Sequence, residues 1–281
     1  MNKAVIMLGL ILATVCSICI AELCQTKQDK CSASPQEKVL AEKAQEQSCE
    51  ETKNELKQIL KHLAEQTDKL KTYQAKINYL FIQDPELIDS KTIRTGQLYY
   101  KKDKAGSKIR VNFETLKQDE ADVEKYREHY LFDGVWLTKI DYQLEKVDFY
   151  QQAPEDKPVD VFARISQNFP LIGFSNTEDM EKQFDISLVS TSADDDPNEA
   201  IVLQLKVKKD SDYKDDYKVI DFWLDKTAFL PVHVVAVSPE DDIYDIVLLD
   251  SAINKNLENS VFKVETPAHF DKNRHPLKQK P

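Results

Sequence analysis

The chain opens on an uncharged apolar run, Ala4 to Ile20, and the pattern of polar and apolar residues then changes period twice. From Ser48 onward, Leu56, Ile59, Leu60, Leu63 and Leu70 recur at helical steps, the stripe of an amphipathic helix. Glu50 and Glu51 fall in its expected first turn, where carboxylates favour the positive end of the helix dipole. From Tyr73 the period drops to two. Strands are predicted over 73–83, 92–101, 108–116, 129–132, 135–141, 146–151, 186–192, 200–208, 219–224, 232–238, 243–252 and 261–264. The links at 103–106, 133–134, 194–198 and 239–242 are short and polar, which suits hairpins, whereas parallel strands need long crossovers. The expected fold is α+β but mainly β, a large curved antiparallel sheet of about 11 to 12 strands that curls into an unclosed barrel.

One interruption stands out. Residues 158–184 contain a helical stretch (Val159, Phe162, Ile165, Phe169), the apolar run Phe169-Pro170-Leu171-Ile172-Gly173-Phe174, and a second helix near 177–184. Asn176 or Thr177, followed by Glu178 and Asp179, suits the start of that second helix. With the Leu56–Leu70 stripe these are the only helices predicted to cover the sheet. Its concave side then presents more apolar surface than they can pack densely, and the outcome is a hydrophobic cavity or an exposed patch. Tyr99, Phe113, Phe132, Trp136, Phe149 and Trp223 are the strand aromatics expected to line it, although filling a core is the ordinary role of such residues.

The first residues bear on compartment. Lys3 provides a positive start to the apolar run, and Cys19-Ile20-Ala21 places small residues for cleavage after Ala21. A membrane anchor is the competing reading, since the run approaches the ~20 residues of a span. Val15, Ile18 and Leu23 precede Cys16, Cys19 and Cys24, and none is the small residue that a lipidated cysteine requires. The predicted layout is a signal peptide at 1–21, a polar arm at 22–47, a main domain at 48–272 and a tail at 273–281. The expected compartment is the periplasm.

Charge removes one class of partner. Lys and Arg total 38 against 49 Asp and Glu, so the net charge is −11, or −12 once Lys3 leaves with the signal. A nucleic-acid ligand would need clustered cations, and none is expected. Cys24, Cys31 and Cys49 remain after cleavage; Cys31 with Cys49 and Cys24 with Cys31 are both open pairings.

The motifs of enzymes are not found. The five histidines make no close metal pair, and five glycines leave little room for phosphate-cradling loops. Asp194, Asp196 and Asn198 match the start of a calcium loop, but Glu199 stands in place of its glycine and Leu205 in place of its closing glutamate. No catalytic residue, metal or cofactor is expected, and the chain is read as no enzyme.

Several short signatures, in order, resemble the LolA-type outer-membrane lipoprotein carriers and their relatives over about residues 52–272. They are Leu70-Lys71-Thr72-Tyr73-Gln74-Ala75, Gly96-Gln97-Leu98-Tyr99-Tyr100-Lys101, Lys108-Ile109-Arg110-Val111-Asn112-Phe113, Phe132-Asp133-Gly134-Val135-Trp136-Leu137 with Lys146-Val147, and Phe262-Lys263-Val264-Glu265-Thr266-Pro267. The resemblance implies an unclosed barrel under helices whose interior holds the acyl chains of lipoproteins. It implies receipt from an inner-membrane ABC lipoprotein-releasing complex and delivery to an outer-membrane lipoprotein acceptor, by a monomer. It makes 158–184 a lid, adds Phe162, Ile165, Phe169, Leu171 and Phe174 to the acyl-chain lining, and leaves Arg110 as the candidate lid latch. The turn in which the family carries that arginine here reads Lys101-Lys102-Asp103. An alternative reading keeps the fold and makes the chain a lipid- or lipoprotein-sensing module of the envelope that transports nothing. A hydrolase on the same scaffold is a third.

Overall fold

The computed structural model describes residues 35–104, 106–159, 161–162, 177–189 and 200–277, with backbone alone at 35–49 and 177–179. Two compact units divide at Glu50/Glu51. Of the first, the described part is helical backbone from Pro35. That helix, α1 (Pro35–Lys69), begins well before the expected start at Ser48. Proline is tolerated at a first helical position, and apart from Val39 residues 36–47 are Glu, Lys, Gln, Ala and Leu, good helix formers, with no glycine. The polar stretch read as an arm is therefore helical where it is described. Cys24, Cys31 and residues 1–21 lie outside the described residues.

The second unit is built on one sheet. Its strands are β1 (Thr72–Gln83), β2 (Ser90–Asp103), β3 (Gly106–Gln118), β4 (Glu124–Phe132), β5 (Trp136–Asp141) and β6 (Lys146–Gln151). After a short helix α2 (Thr177–Gln183) come β7 (Phe184–Val189), β8 (Ile201–Val207), β9 (Val219–Leu224), β10 (Pro231–Val237), β11 (Ile243–Ile253) and β12 (Asp271–His275). The order is β12-β6-β5-β4-β3-β2-β1-β11-β10-β9-β8-β7. Two antiparallel meanders, β1–β6 and β7–β11, are joined where β1 pairs with β11. No pairing joins β12 to β7 among the described residues, so the sheet is unclosed. β12 and β6 thus lie at one edge of the sheet, and β7 forms the other.

The last strand differs from expectation. Residues 261–264 were expected to be a strand; a 3-10 turn, Asn259–Phe262, occupies the start of that stretch instead. The closing strand is β12, which pairs with β6 in parallel, Asp271 opposite Lys146 through His275 opposite Tyr150. A parallel return is possible because the 254–270 crossover is long. All five β12 residues are exposed and polar, so no alternation marks them, and such a charged edge resists further strand pairing.

Two glycines answer to geometry. A Cβ on Gly96 would lie 1.8 Å from the carbonyl oxygen of Asn112, where the β2–β3 register shifts at a bulge between Thr95 and Gly96. Gly134 turns the β4–β5 link at φ +91°, with Asp133 Oδ1 accepting from the backbone N–H groups of Val135 and Trp136.

Candidate functional site

Alternation on the strands sends one set of side chains to a common inner face. In one half of it, Tyr73, Ala75, Ile77, Leu98, Tyr100, Ile109, Val111, Phe113 and Phe132 form a cluster with Ile246 and Leu248. Leu70, at the end of α1, packs into it, as do Val161 and Phe162 from the chain beyond β6; the Phe162 ring lies 4.5 Å from that of Tyr100. In the other half, Leu203, Leu205, Ile220, Phe222, Leu224, Val234 and Ala236 lie beneath Ile59, Leu60 and Leu63 of α1. The predicted helical stripe is thus the face that α1 buries.

A cavity of about 490 Å³ remains beside α1. Its wall is Ile59, Leu188, Ala200, Ile201, Val202 and Phe229, and Glu55, Gln58, His62 and Lys226 supply its polar lining. His62, exposed, sets its ring edge-on to Phe229 at 4.9 Å. Small-molecule sites run at ~300–1,000 Å³, so this cleft, open to solvent on one side, has the volume of such a site.

The expected lining residues separate. Phe113, Phe132 and Phe162 are fully buried together on the inner face. Tyr99, Trp136, Phe149 and Trp223 lie on the opposite, outer face, because each alternates with an inward neighbour: Tyr100, Leu137, Tyr150 and Phe222. Trp223 stacks on His233 at 4.3 Å, and Trp136 and Phe149 flank the guanidinium of Arg274 at 5.4 and 5.2 Å. Ile165, Phe169, Leu171 and Phe174 lie outside the described residues, as does the turn at Asp194–Asn198. The wall residues Leu188, Ile201 and Phe229 were not singled out from sequence. Phe229 sits in a turn with φ +50°, which no alternation signals.

The inner face also carries ions. Glu128, only 2% exposed, accepts from Arg94 Nη1 at 2.6 Å and pairs with Lys139 Nζ at 2.6 Å. Burial pulls the Lys139 ammonium down, but the hydrogen bond and charge of Glu128 and the neighbouring Tyr130 more than reverse this, so it is held above its ordinary range. Burial pushes the Tyr130 hydroxyl up to about 12. Arg94 lies over the Phe113 ring at 5.8 Å and Lys139 over Tyr130 at 5.7 Å, so both cations rest on aromatic faces.

Arg110 belongs to the outer face. Its Nη1 donates to the carbonyls of Val261 (2.6 Å) and Lys263 (2.9 Å), and its Nε to Asn112 Oδ1. Its Nη2 reaches His129 Nδ1 at 3.3 Å, which leaves the ring proton on Nε2, donated to Glu114 Oε1 at 2.9 Å. Among the described residues, the carbonyls it holds belong to the C-terminal segment. The same segment is held by Lys101 Nζ, which donates to Leu257 O and Asn259 Oδ1, and by Phe270 packed with Ile140 and Val147. Arg110 thus clamps a strap that carries the chain across the outer face to β12.

No protein-family model matches the chain, and no curated protein matches it. Among solved structures it is similar to an uncharacterized conserved protein from Thermus thermophilus, at 11% identity and TM-score 0.46, over 79% of this chain and 99% of that one. It is similar to a chain of the Pseudomonas aeruginosa MucA/MucB complex at 14% identity and TM-score 0.38, over 74% of this chain and 60% of that one. A LolA superfamily protein from Nitrosomonas europaea is similar at 12% identity and TM-score 0.32, over 72% of this chain and 96% of that one. At these values each likeness is partial, and the fold rests on the strand order itself.

Proposed function

We propose that this chain is an exported envelope protein that holds acyl chains against the inner face of its sheet, and that its cargo is the lipid-modified end of lipoproteins. The observation that carries the reading is the cavity beside α1: apolar walls, a few polar groups, and room for one ligand. The signal-like residues 1–21 and the resemblance of several motifs to the LolA-type carriers support the compartment and the cargo class of this reading. Residues 158–184 act as the lid in this reading, with Ile165, Phe169, Leu171 and Phe174 facing the cargo, and an ABC complex and an outer-membrane acceptor are the partners before and after.

Burial alone gives the affinity that such cargo needs. Each buried methylene contributes about 0.8 kcal/mol, so ten of them give about 8 kcal/mol. That corresponds to a Kd near ~1 μM before ordering costs, with no polar contact required. Transfer onward then needs only an acceptor whose cavity holds the same chain more tightly. Native mass spectrometry of the mature protein, purified from cell envelopes and then offered palmitate, is the test. A bound acyl species, or palmitate uptake at 1:1, is expected; no bound or bindable lipid would sink the proposal. Lipid binding without any lipoprotein in cross-linked pull-downs would move the function to lipid sensing.

A further inference from the structure

The turns at one end of the sheet expose large apolar side chains. Leu87 (85% exposed) and Ile88 (55%) sit in the β1–β2 turn, and Val123 (64%) in the β3–β4 turn. The two turns are stitched together: Lys91 N donates to Asp119 Oδ1 at 2.6 Å, Asp119 N to Lys91 O at 2.8 Å, and Gln118 Nε2 to Ser90 Oγ at 2.9 Å. Asp84 holds the first turn from within, its carbonyl accepting from the N–H groups of Leu87, Ile88 and Asp89. Asp84, Asp89 and Asp119 all have positive φ (34°, 49° and 48°), a conformation that costs about 1 kcal/mol or more at a non-glycine residue and persists only where the surroundings enforce it. The apolar tips are therefore displayed on a pre-ordered support, which lowers the ordering cost of binding.

Charge selects what can meet them. Residues 84–89 and 119–124 contain Asp84, Glu86, Asp89, Asp119, Glu120, Asp122 and Glu124, and no Lys, Arg or His. Lys91, beside them, is paired with Asp89, while Lys117 and Lys125 stand on the flanking strands. An anionic bilayer favours cations at about 1 kcal/mol each near its surface and would repel these two turns. A second copy meeting it symmetrically would set the same acids against each other. We infer that the stitched β1–β2 and β3–β4 turns form a docking surface for a basic, amphipathic segment of a partner protein, with Leu87, Ile88 and Val123 as its apolar anchors.

This surface is separate from the cavity. Ile82 pairs with Ile243, Val237 with Val219, and Val219 with Lys206, so the turns share an end of the sheet with Val207, whereas the cavity lies by Ile201 at the other end. A partner can therefore dock while cargo is held.

The test uses the mature full chain and two probes of equal charge, an oligolysine and an amphipathic Lys/Leu peptide, titrated by fluorescence anisotropy. The Lys/Leu peptide is expected to bind at least tenfold tighter than oligolysine. The triple variant Leu87→Ser/Ile88→Ser/Val123→Ser should lose that difference while keeping its oligolysine affinity and its Tm; Leu249→Ser, an exposed residue on β11, should keep the difference. A triple variant that retains the tenfold preference overturns the proposal. So does recruitment of the native chain to phosphatidylglycerol vesicles, or a dimer in sedimentation that the triple variant dissolves. Palmitate uptake is read in the same samples, so failure of this surface and failure of the carrier reading are told apart.

Discussion

The two faces of the sheet use the same residue types for different ends. On the inner face, Phe113, Phe132, Phe162 and Phe222 join aliphatic residues beneath helices and leave a cavity at one side. On the outer face, Trp136 and Phe149 flank the guanidinium of Arg274, Trp223 stacks on the His233 ring, and the chain's own C-terminal segment is strapped across by Arg110 and Lys101. The difference teaches that an aromatic on a strand announces burial of some kind, not the side on which cargo sits. One face is packed and partly hollow; the other is closed by polar clamps.

Neighbouring residues of β9 give the largest contrast. Phe222→Ala, inside the inner cluster, should lower unfolding stability by about 3–5 kcal/mol in urea titration. Trp223→Ala, one residue on and facing outward, should cost about 1 kcal/mol or less. Equal losses would mean that the two faces are packed alike.

Next is the ion cluster of the inner face. Glu128→Ala leaves Arg94 and Lys139 without their shared carboxylate, and a loss of about 3 kcal/mol is expected by the same titration. Glu128→Gln, which keeps an acceptor, should recover part of it.

Arg110→Ala should act on the strap alone. Amide exchange across residues 259–275 is expected to speed up at least tenfold, about 1.4 kcal/mol of local opening, with β1–β3 unchanged. Acceleration throughout the sheet would show that the clamp is part of the common core.

The smallest effect concerns pH. Burial holds the His129 imidazole below its ordinary value, against the pull of Glu114, so the folded protein keeps it neutral. Below pH ~6.5 the unfolded chain takes up a proton that the fold refuses, and stability falls from there down to the lower folded value. His129→Gln should flatten that part of the stability profile between pH ~7.5 and ~5, the range that brackets an ordinary imidazole; an unchanged slope would assign it to other groups.

Much of this architecture was legible in the sequence, for identifiable reasons. Strands packed on one face declare themselves by period two, and β1 to β11 follow the predicted runs within a few residues except at β4, which begins five residues early with the exposed Glu124 and Lys125. The stripe Leu56, Ile59, Leu60 and Leu63 marked the buried side of α1. The strand β12 was illegible because Asp271-Lys-Asn-Arg-His has no apolar residue, and its pairing depends on a strap set by distant carbonyl clamps. The choice between Tyr99 and Tyr100, or Phe222 and Trp223, was equally hidden, since one step along a strand reverses the face and both members of each pair are aromatic. The cavity wall at Leu188, Ile201 and Phe229 gathers strand ends and a turn from separate parts of the chain, which no local pattern connects.

A diazirine-bearing palmitate, bound to the mature protein, photolysed and located by peptide mapping, asks the two faces which of them meets an acyl chain. Adducts are predicted at Ile59, Leu188, Ile201 or Phe229, with Tyr99, Trp136 and Trp223 unlabelled. Labelling confined to the outer-face aromatics, or none at all, would contradict the account.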